Sequence, residues 1–354
     1  MNNIKINIIA LIIVSLLFTD FYSFAGNEQR AGSAGAQELL INPWARSSGW
    51  GTANISCTRG LESVFMNVAG TAFTQGTELI YTHSLWLKGT DIAINAFGFS
   101  QKVGESGVIS LALMSMDFGD IEMTTVEMPE GGFGTFNPRY TTIMLSYAKE
   151  FSNSIYGGAT VKIINEAIPD LSAGGVAFDA GIQYITGIDQ QIKFGITMQN
   201  VGPTMKFSGD GLSHRQEDGL GPQRTVEDRS AEFELPSLIR IGASYDFNFA
   251  DRQRLTLAGN FTSNSFSKDQ YHFGMEYDYK NILFLRGGFV YEDGINPFED
   301  DYDTRSTAYT GPTAGFSIQI PLNKEKGSTF SLDYSYRDTD PFEGTHTFGA
   351  RVSL

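Results

Sequence analysis

Asp269-Gln270-Tyr271-His272-Phe273-Gly274-Met275-Glu276-Tyr277-Asp278-Tyr279 alternates along its whole length. Tyr271, Phe273, Met275, Tyr277 and Tyr279 take one side; Gln270, His272, Gly274, Glu276 and Asp278 take the other. Successive side chains of a strand point to opposite faces, so the segment reads as a strand with one apolar and one polar face. The same period of two recurs in Phe194–Met198, Ile239–Phe249 and Thr329–Arg337, and runs from about Glu78 to the last residue.

A soluble sandwich would alternate as well. Two features point instead to a membrane wall. The alternating segments run about 10 to 13 residues, longer than the roughly 5 or 6 of globular strands and enough for a tilted strand to cross a bilayer. The apolar faces are also tipped with aromatics, as in Tyr277, Tyr279, Tyr334 and Tyr336, like the interfacial girdles of outer-membrane barrels. The expected fold is all-β, a transmembrane antiparallel β-barrel. Fifteen strand-like segments follow Glu78. Merging Ile109–Met116 with Ile121–Met128 across a bulge at Gly119 gives fourteen, and bacterial barrels have even counts. Longer linkers then fall at alternate connections: Pro129–Pro138, Asn165–Gly174, Val201–Pro236, Asp293–Thr307 and Asp338–Gly344. Long loops on one rim and tight turns on the other would place both termini in the periplasm.

Ahead of the barrel, Lys5 precedes an apolar run from Ile6 to Phe18, and Ser23-Phe24-Ala25 offers a small-x-small cleavage site. That order is a secretory signal peptide spanning residues 1–25, with a mature chain from Gly26. Residues 26–76 do not alternate cleanly, yet carry Leu39, Leu40, Ile41, Trp44 and Trp50. Such side chains are poorly served by water, so this segment is expected to pack in the lumen as a hatch, with the barrel occupying residues 77–354.

The net charge of −15 is unchanged by removing Lys5 with Asp20, and it disfavours nucleic acid, which requires a basic footprint. Cys57 is the single cysteine, so no disulfide forms within the chain, and it reads as an inert buried thiol. His83, His214, His272 and His346 are too dispersed for a metal motif. No G-x-S-x-G is present, and Asp300 with Asp301 sits in a loop with no apolar pocket to raise a pKa. Neither enzymatic activity nor a cofactor is expected. The densest local feature is Glu292, Asp293, Glu299, Asp300, Asp301 and Asp303, which could bind calcium, contact a basic patch on a partner, or form a solvated loop. Residues 209–229, including Asp210, His214 and Arg215, read as a long mobile loop able to clasp a partner.

Several segments, taken in order, resemble the PorV/PorQ family, related to FadL-type barrels and associated with type IX secretion in Bacteroidetes. Ala31-Gly32-Ser33-Ala34-Gly35-Ala36-Gln37-Glu38-Leu39-Leu40 is similar to its opening motif, and Ala45–Gly51 to the Ala-Arg and Gly-containing turn after it. Asn67-Val68-Ala69-Gly70 stands where the family has Asn-Pro-Ala-Gly, with Val68 in place of proline. Thr82–Leu87, Asp117–Ile121 and Gln199–Phe207 resemble further family segments. The resemblance implies a fourteen-stranded FadL-like barrel in the outer membrane, with Asn67, Ala69 and Gly70 shaping the hatch. It further implies partners among secreted cargo proteins, bound through their C-terminal domains, and other type IX components. Contacts would fall on Asp210, His214, Arg215, Glu299, Asp300, Asp301 and Asp303. The alternative is a FadL-like channel for hydrophobic molecules, which needs an apolar pocket lined by Phe65, Val68 and Phe73.

Overall fold

The computed structural model describes residues 26–216, 224–249, 252–295, 307, 310–323, 325, 327–339 and 342–354. Fourteen strands form the wall: β1 (Thr77–Leu85), β2 (Ala93–Val103), β3 (Gly107–Asp117), β4 (Arg139–Ser152), β5 (Ile155–Ile168), β6 (Leu171–Thr186), β7 (Ile192–Val201), β8 (Leu238–Asn248), β9 (Gln253–Asn264), β10 (Gln270–Tyr279), β11 (Leu283–Glu292), β12 (Gly311–Asn323), β13 (Ser328–Arg337) and β14 (Thr345–Ser353). Each pairs antiparallel with its chain neighbours, and β1 pairs with β14 from Glu78↔Ser353 to Leu85↔His346, closing the barrel. Closure leaves no strand edge, the condition for a sheet to cross a bilayer.

Burial is inverted relative to a soluble protein. Leu145, Phe178, Ile196, Ile241, Phe273 and Leu332 face outward and are exposed, while Lys162, Asp179, Gln183, Arg240 and Asp333 point inward and are buried. The alternation that makes a strand amphipathic here separates a lipid-facing band from a polar lumen.

Fourteen strands arise by a different route from the expected merger. β3 stops at Asp117, whose carboxylate accepts the backbone N–H of Gly119 (2.9 Å) and the side-chain amide of Asn137 (2.9 Å). Gly119 takes a left-handed φ of 73° and turns the chain out of the wall. Ile121–Glu122 then pairs with Thr135–Phe136 in a small hairpin above the barrel, so residues 121–128 belong to the loop, not to a bent β3. The expected linker Asn165–Gly174 also contracts. β5 and β6 stay paired up to Ile168↔Leu171, leaving Pro169-Asp170 as the turn, with Asp170 at φ 63°. Between β7 and β8, Met205–Ser208 returns to the wall and pairs with Ala173 and Ser172 of β6. The intervening Gly202-Pro203-Thr204 breaks that ladder, since proline has no N–H to give.

The lumen is filled by residues 26–76. Two short helices, α1 (Ala45–Gly49) and α2 (Ser63–Met66), 3₁₀ turns at Gln37–Leu40 and Val68–Phe73, and the segments joining them place Trp44, Ile55, Leu61, Phe65 and Met66 against Ile80, Ile94, Met114 and Met144 of the wall. Each such side chain contributes roughly 1.5–3 kcal/mol on burial. The N–H of Asn27 bonds the carbonyl of Asn264 at the long-loop rim, whereas the N–H of Thr77 bonds that of Leu354 at the short-turn rim. The hatch therefore runs the length of the lumen. Gly26 and Leu354 lie at opposite ends, so the expectation of both termini on one rim does not hold for the described chain; a fifty-residue plug that enters at one mouth leaves at the other.

Candidate functional site

The chemistry of this barrel sits in two places, the join between hatch and wall and the long-loop mouth above it. At the join the wall lacks side chains where the hatch comes closest. Gly195 and Gly242 face each other across β7 and β8, and Gly274 and Gly288 across β10 and β11. A Cβ on Gly195 would stand 2.8 Å from the Ile55 carbonyl and one on Gly274 2.7 Å from that of Trp50, while one on Gly288 would overlap the Trp50 carbonyl itself. Glycine at these inward positions lets hatch backbone lie directly on strand backbone.

Asn67 ties the hatch turn to the rest of the hatch and to β6. Its amide nitrogen donates to the carbonyls of Ile55 (3.1 Å) and Ile182 (3.1 Å), and its side-chain oxygen accepts the N–H of Ala69 (3.3 Å). The N–H of Gly70 closes the turn on the Asn67 carbonyl (2.9 Å), and a Cβ at Gly70 would overlap the Thr58 carbonyl. The three motif residues thus act together. Asn67→Leu should remove these hydrogen bonds, at roughly 0.5–1.5 kcal/mol each, read as a lower urea midpoint for the barrel.

Charges fill the rest of the join. Arg351 of β14 reaches Glu62 of the hatch (3.3 Å) and Glu78 of β1 (3.2 Å). Arg46 of α1 pairs with Asp333 at 2.9 Å, Arg286 with Glu276 at 2.6 Å, and Lys193 with Asp246. These charges are tolerated in the lumen because each meets an opposite one. Cys57, half-buried beside Trp50, Ala53 and Ala258, has its thiol pushed up to about 11 by burial, which keeps it protonated and unreactive.

The sequence-predicted contact residues disperse. Asp210, His214 and Arg215 are exposed between β7 and β8, where Ser213–Gln216 pairs with Arg224–Glu227 and His214 Nδ1 stands 3.4 Å from Asp228. Glu292 is not on the loop. It ends β11 facing the lumen, fully buried, and accepts from Gln270 at 3.0 Å. Glu299, Asp300, Asp301 and Asp303 lie outside the described residues. The pocket expected at Phe65, Val68 and Phe73 is closed: Phe65 and Val68 are buried and Phe73 packs on Tyr156 with centroids 4.2 Å apart. Among the described residues a cavity of about 390 Å³ opens at the mouth, between Ala31, Gly32, Gln37 and Leu40 of the hatch and Pro236, Asn264 and Phe266 of the loops.

One surface was not anticipated. In the β3–β4 loop, Ile121, Met123, Val126, Met128 and Phe133 are exposed, Val126 fully, among Asp120, Glu122, Glu127 and Glu130. In sequence the apolar members pass for the upper half of a strand.

Comparison with known proteins bears on this architecture. The toluene transporter TodX of Pseudomonas putida superposes with a TM-score of 0.55 at 14% identity, over 88% of this chain and 97% of that one. The toluene transporter TbuX of Ralstonia pickettii gives 0.53 at 13%, over 88% and 97%. A FadL homologue of Pseudomonas aeruginosa gives 0.52 at 10%, over 87% and 97%. At such identities the likeness establishes the fold alone. Comparison with curated protein sequences gives no match. The family description "Type IX secretion system protein PorV" matches residues 24–266, which takes in the hatch and the wall through β9. With more than half its length so matched, and a plugged fourteen-stranded barrel around that match, the chain belongs to the PorV family of type IX secretion proteins.

Proposed function

We propose that this outer-membrane component of type IX secretion holds secreted cargo domains, or partners of the attachment machinery, at its long-loop mouth, which faces the cell exterior. The observation that carries the reading is the β3–β4 loop. An apolar patch of Ile121, Met123, Val126, Met128 and Phe133 stands above the barrel, free of the wall. Water disfavours it, and the acids around it disfavour the phosphate-bearing membrane surface. A protein surface with an apolar centre and a basic rim fits both. Asp210, His214 and Arg215, with Glu299, Asp300, Asp301 and Asp303, are proposed as flanking polar contacts. Binding is stoichiometric and needs no cofactor.

Native purification from detergent-solubilised outer membrane, with mass spectrometry of what is retained, tests this. Wild type should retain proteins sharing one C-terminal domain, or a large translocon barrel. Val126→Asp with Phe133→Ser should lower that recovery at least about tenfold, the effect of losing anchors worth about 1.4 kcal/mol or more. Equal recovery, with the barrel still folded, refutes the patch. The channel reading keeps one supporting observation, the mouth cavity of about 390 Å³, and co-purified apolar small molecules in place of protein would favour it.

A further inference from the structure

The outer part of the hatch, residues 26–41, is fastened to the mouth at few points. Arg30 pairs with Glu234 and lies over the Phe266 ring at 4.2 Å, and the N–H of Gly35 donates to the Glu234 carbonyl at 3.1 Å. Leu39 enters an apolar cluster with Ile164, Ala173 and Met205. Between these fastenings sits Glu38, 2% exposed, with neither carboxyl oxygen hydrogen-bonded. An ionised carboxylate so placed carries a desolvation cost that no donor offsets.

The charged group that faces it is a second acid. Glu166 of β5 is 4% exposed and accepts the backbone N–H of Ala36, two residues from Glu38. Tyr140 of β4 is the third titratable group there. The hairpin formed by Met205–Ser208 and Glu232–Phe233 packs Met205, Phe207 and Phe233 toward the hatch, with Lys206 and Glu232 exposed to solvent and Glu234 engaged by Arg30. The next inward charge along β5, Lys162, is held by Asp179 at 2.7 Å and Asn200 at 2.6 Å. A calcium ion would want six to eight oxygens, and Leu39, Ile164 and Met205 supply none. A buried carboxyl without a donor and beside a second acid is favoured in its neutral form, so the arrangement suits a protonated Glu38.

We propose that Glu38, buried beside Glu166 with no donor for its carboxylate, is held protonated, and that this proton latches the outer hatch onto the barrel wall, its loss freeing residues 26–41 from the mouth. Ala31, Gly32, Gln37 and Leu40 form one side of the mouth cavity, so the release widens the cleft whatever the mouth binds. Burial first, and the neighbouring Glu166 second, push the Glu38 carboxyl up to about 8. The latched state thus binds the proton more tightly than the free chain, whose carboxyl titrates near 4.5. The stability of the latch is complete below that lower value and is lost as pH rises through the upper one.

A nitroxide on Ser33→Cys, in a Cys57→Ala background, reports the motion of this segment by its spectral line shape. In the full-length barrel the label should be immobilised at pH 6, with a mobile fraction that rises around a midpoint at about 8. Glu38→Gln, which removes the ionisation and keeps the shape, should stay immobilised at pH 10, and Glu166→Gln, which removes the neighbouring acid, should move the midpoint to lower pH. A flat wild-type titration overturns the latch, and so does a transition that survives in Glu38→Gln. A transition abolished by calcium or shifted by chelator overturns it too, by assigning the site to a metal. Should either variant fail to fold, the wild-type titration with and without calcium still decides.

Discussion

Arg351→Met should loosen the barrel by roughly 3–5 kcal/mol, the loss expected when one partner of a buried ion network is removed and its counter-charges stay behind. Three carboxylates depend on this guanidinium. Glu62 approaches it at 3.3 Å from the hatch, Glu78 at 3.2 Å from the first strand, and Asp333 at 3.9 Å from the neighbouring strand. Arg46 serves only Asp333 among these, at 2.9 Å, so it does not replace Arg351. The readouts are the urea midpoint and the temperature at which the folded barrel loses its compact mobility in detergent gels. Adding Glu62→Gln should recover part of the loss, because one stranded charge is then gone. A change below about 1 kcal/mol would mean that water reaches these carboxylates.

Gly288→Val should expel the Trp50 segment from the wall. The added Cβ would overlap the Trp50 carbonyl, and Gly51 N also lies within 3 Å. Backbone cannot swing aside as a side-chain tip can. Overpacking of this kind costs roughly 1–3 kcal/mol where side chains yield, and the rigid neighbour places this variant at the upper end. Its signature is early protease cleavage within residues 45–60, ahead of any loss of barrel. Gly287→Ala is the matched control. Its Cβ meets nothing closer than 4.0 Å, so cleavage and stability should stay within about 0.5 kcal/mol of wild type.

The wall was legible because its physics is periodic. In β10 the polar positions Gln270, His272, Glu276 and Asp278 turn inward, as the alternation required. The same count carried one step further places Glu292 inside, in line with Phe284, Arg286 and Val290. The run of acids after it drew the eye to a loop instead. Ile121–Met128 misled for the opposite reason: Ile121, Met123, Val126 and Met128 are spaced like lipid-facing residues, and spacing does not say whether lipid or a partner covers an apolar row. Pairing up to Ile168↔Leu171 was hidden by Gly174 and Gly175, which give a strand no facial signal. Of the join, Asn67, Ala69 and Gly70 were marked by resemblance to the family. The wall glycines were visible in principle, since Gly274 and Gly288 occupy polar-face positions where a side chain would be expected. Glu38 had no such mark. Nothing in Gln37-Glu38-Leu39 separates a solvated acid from one buried beside Glu166, because that neighbour lies over a hundred residues away in sequence.

The lengthwise passage of the hatch bears on how the molecule is assembled. The segment that precedes every strand ends up innermost, so the wall must be wound around it. The last strand to be made, Thr345–Ser353, is the one that seals the seam against Thr77–Leu85. It also carries Arg351, the counter-ion for the plug's Glu62 and the first strand's Glu78. Partners so far apart in the chain make closure slow. Until those final residues arrive, an unfinished barrel keeps an open seam beside acids that lack their cation. The plug and the seam thus complete each other in one step, and a chain cut short of that strand is marked as incomplete by its own unneutralised interior.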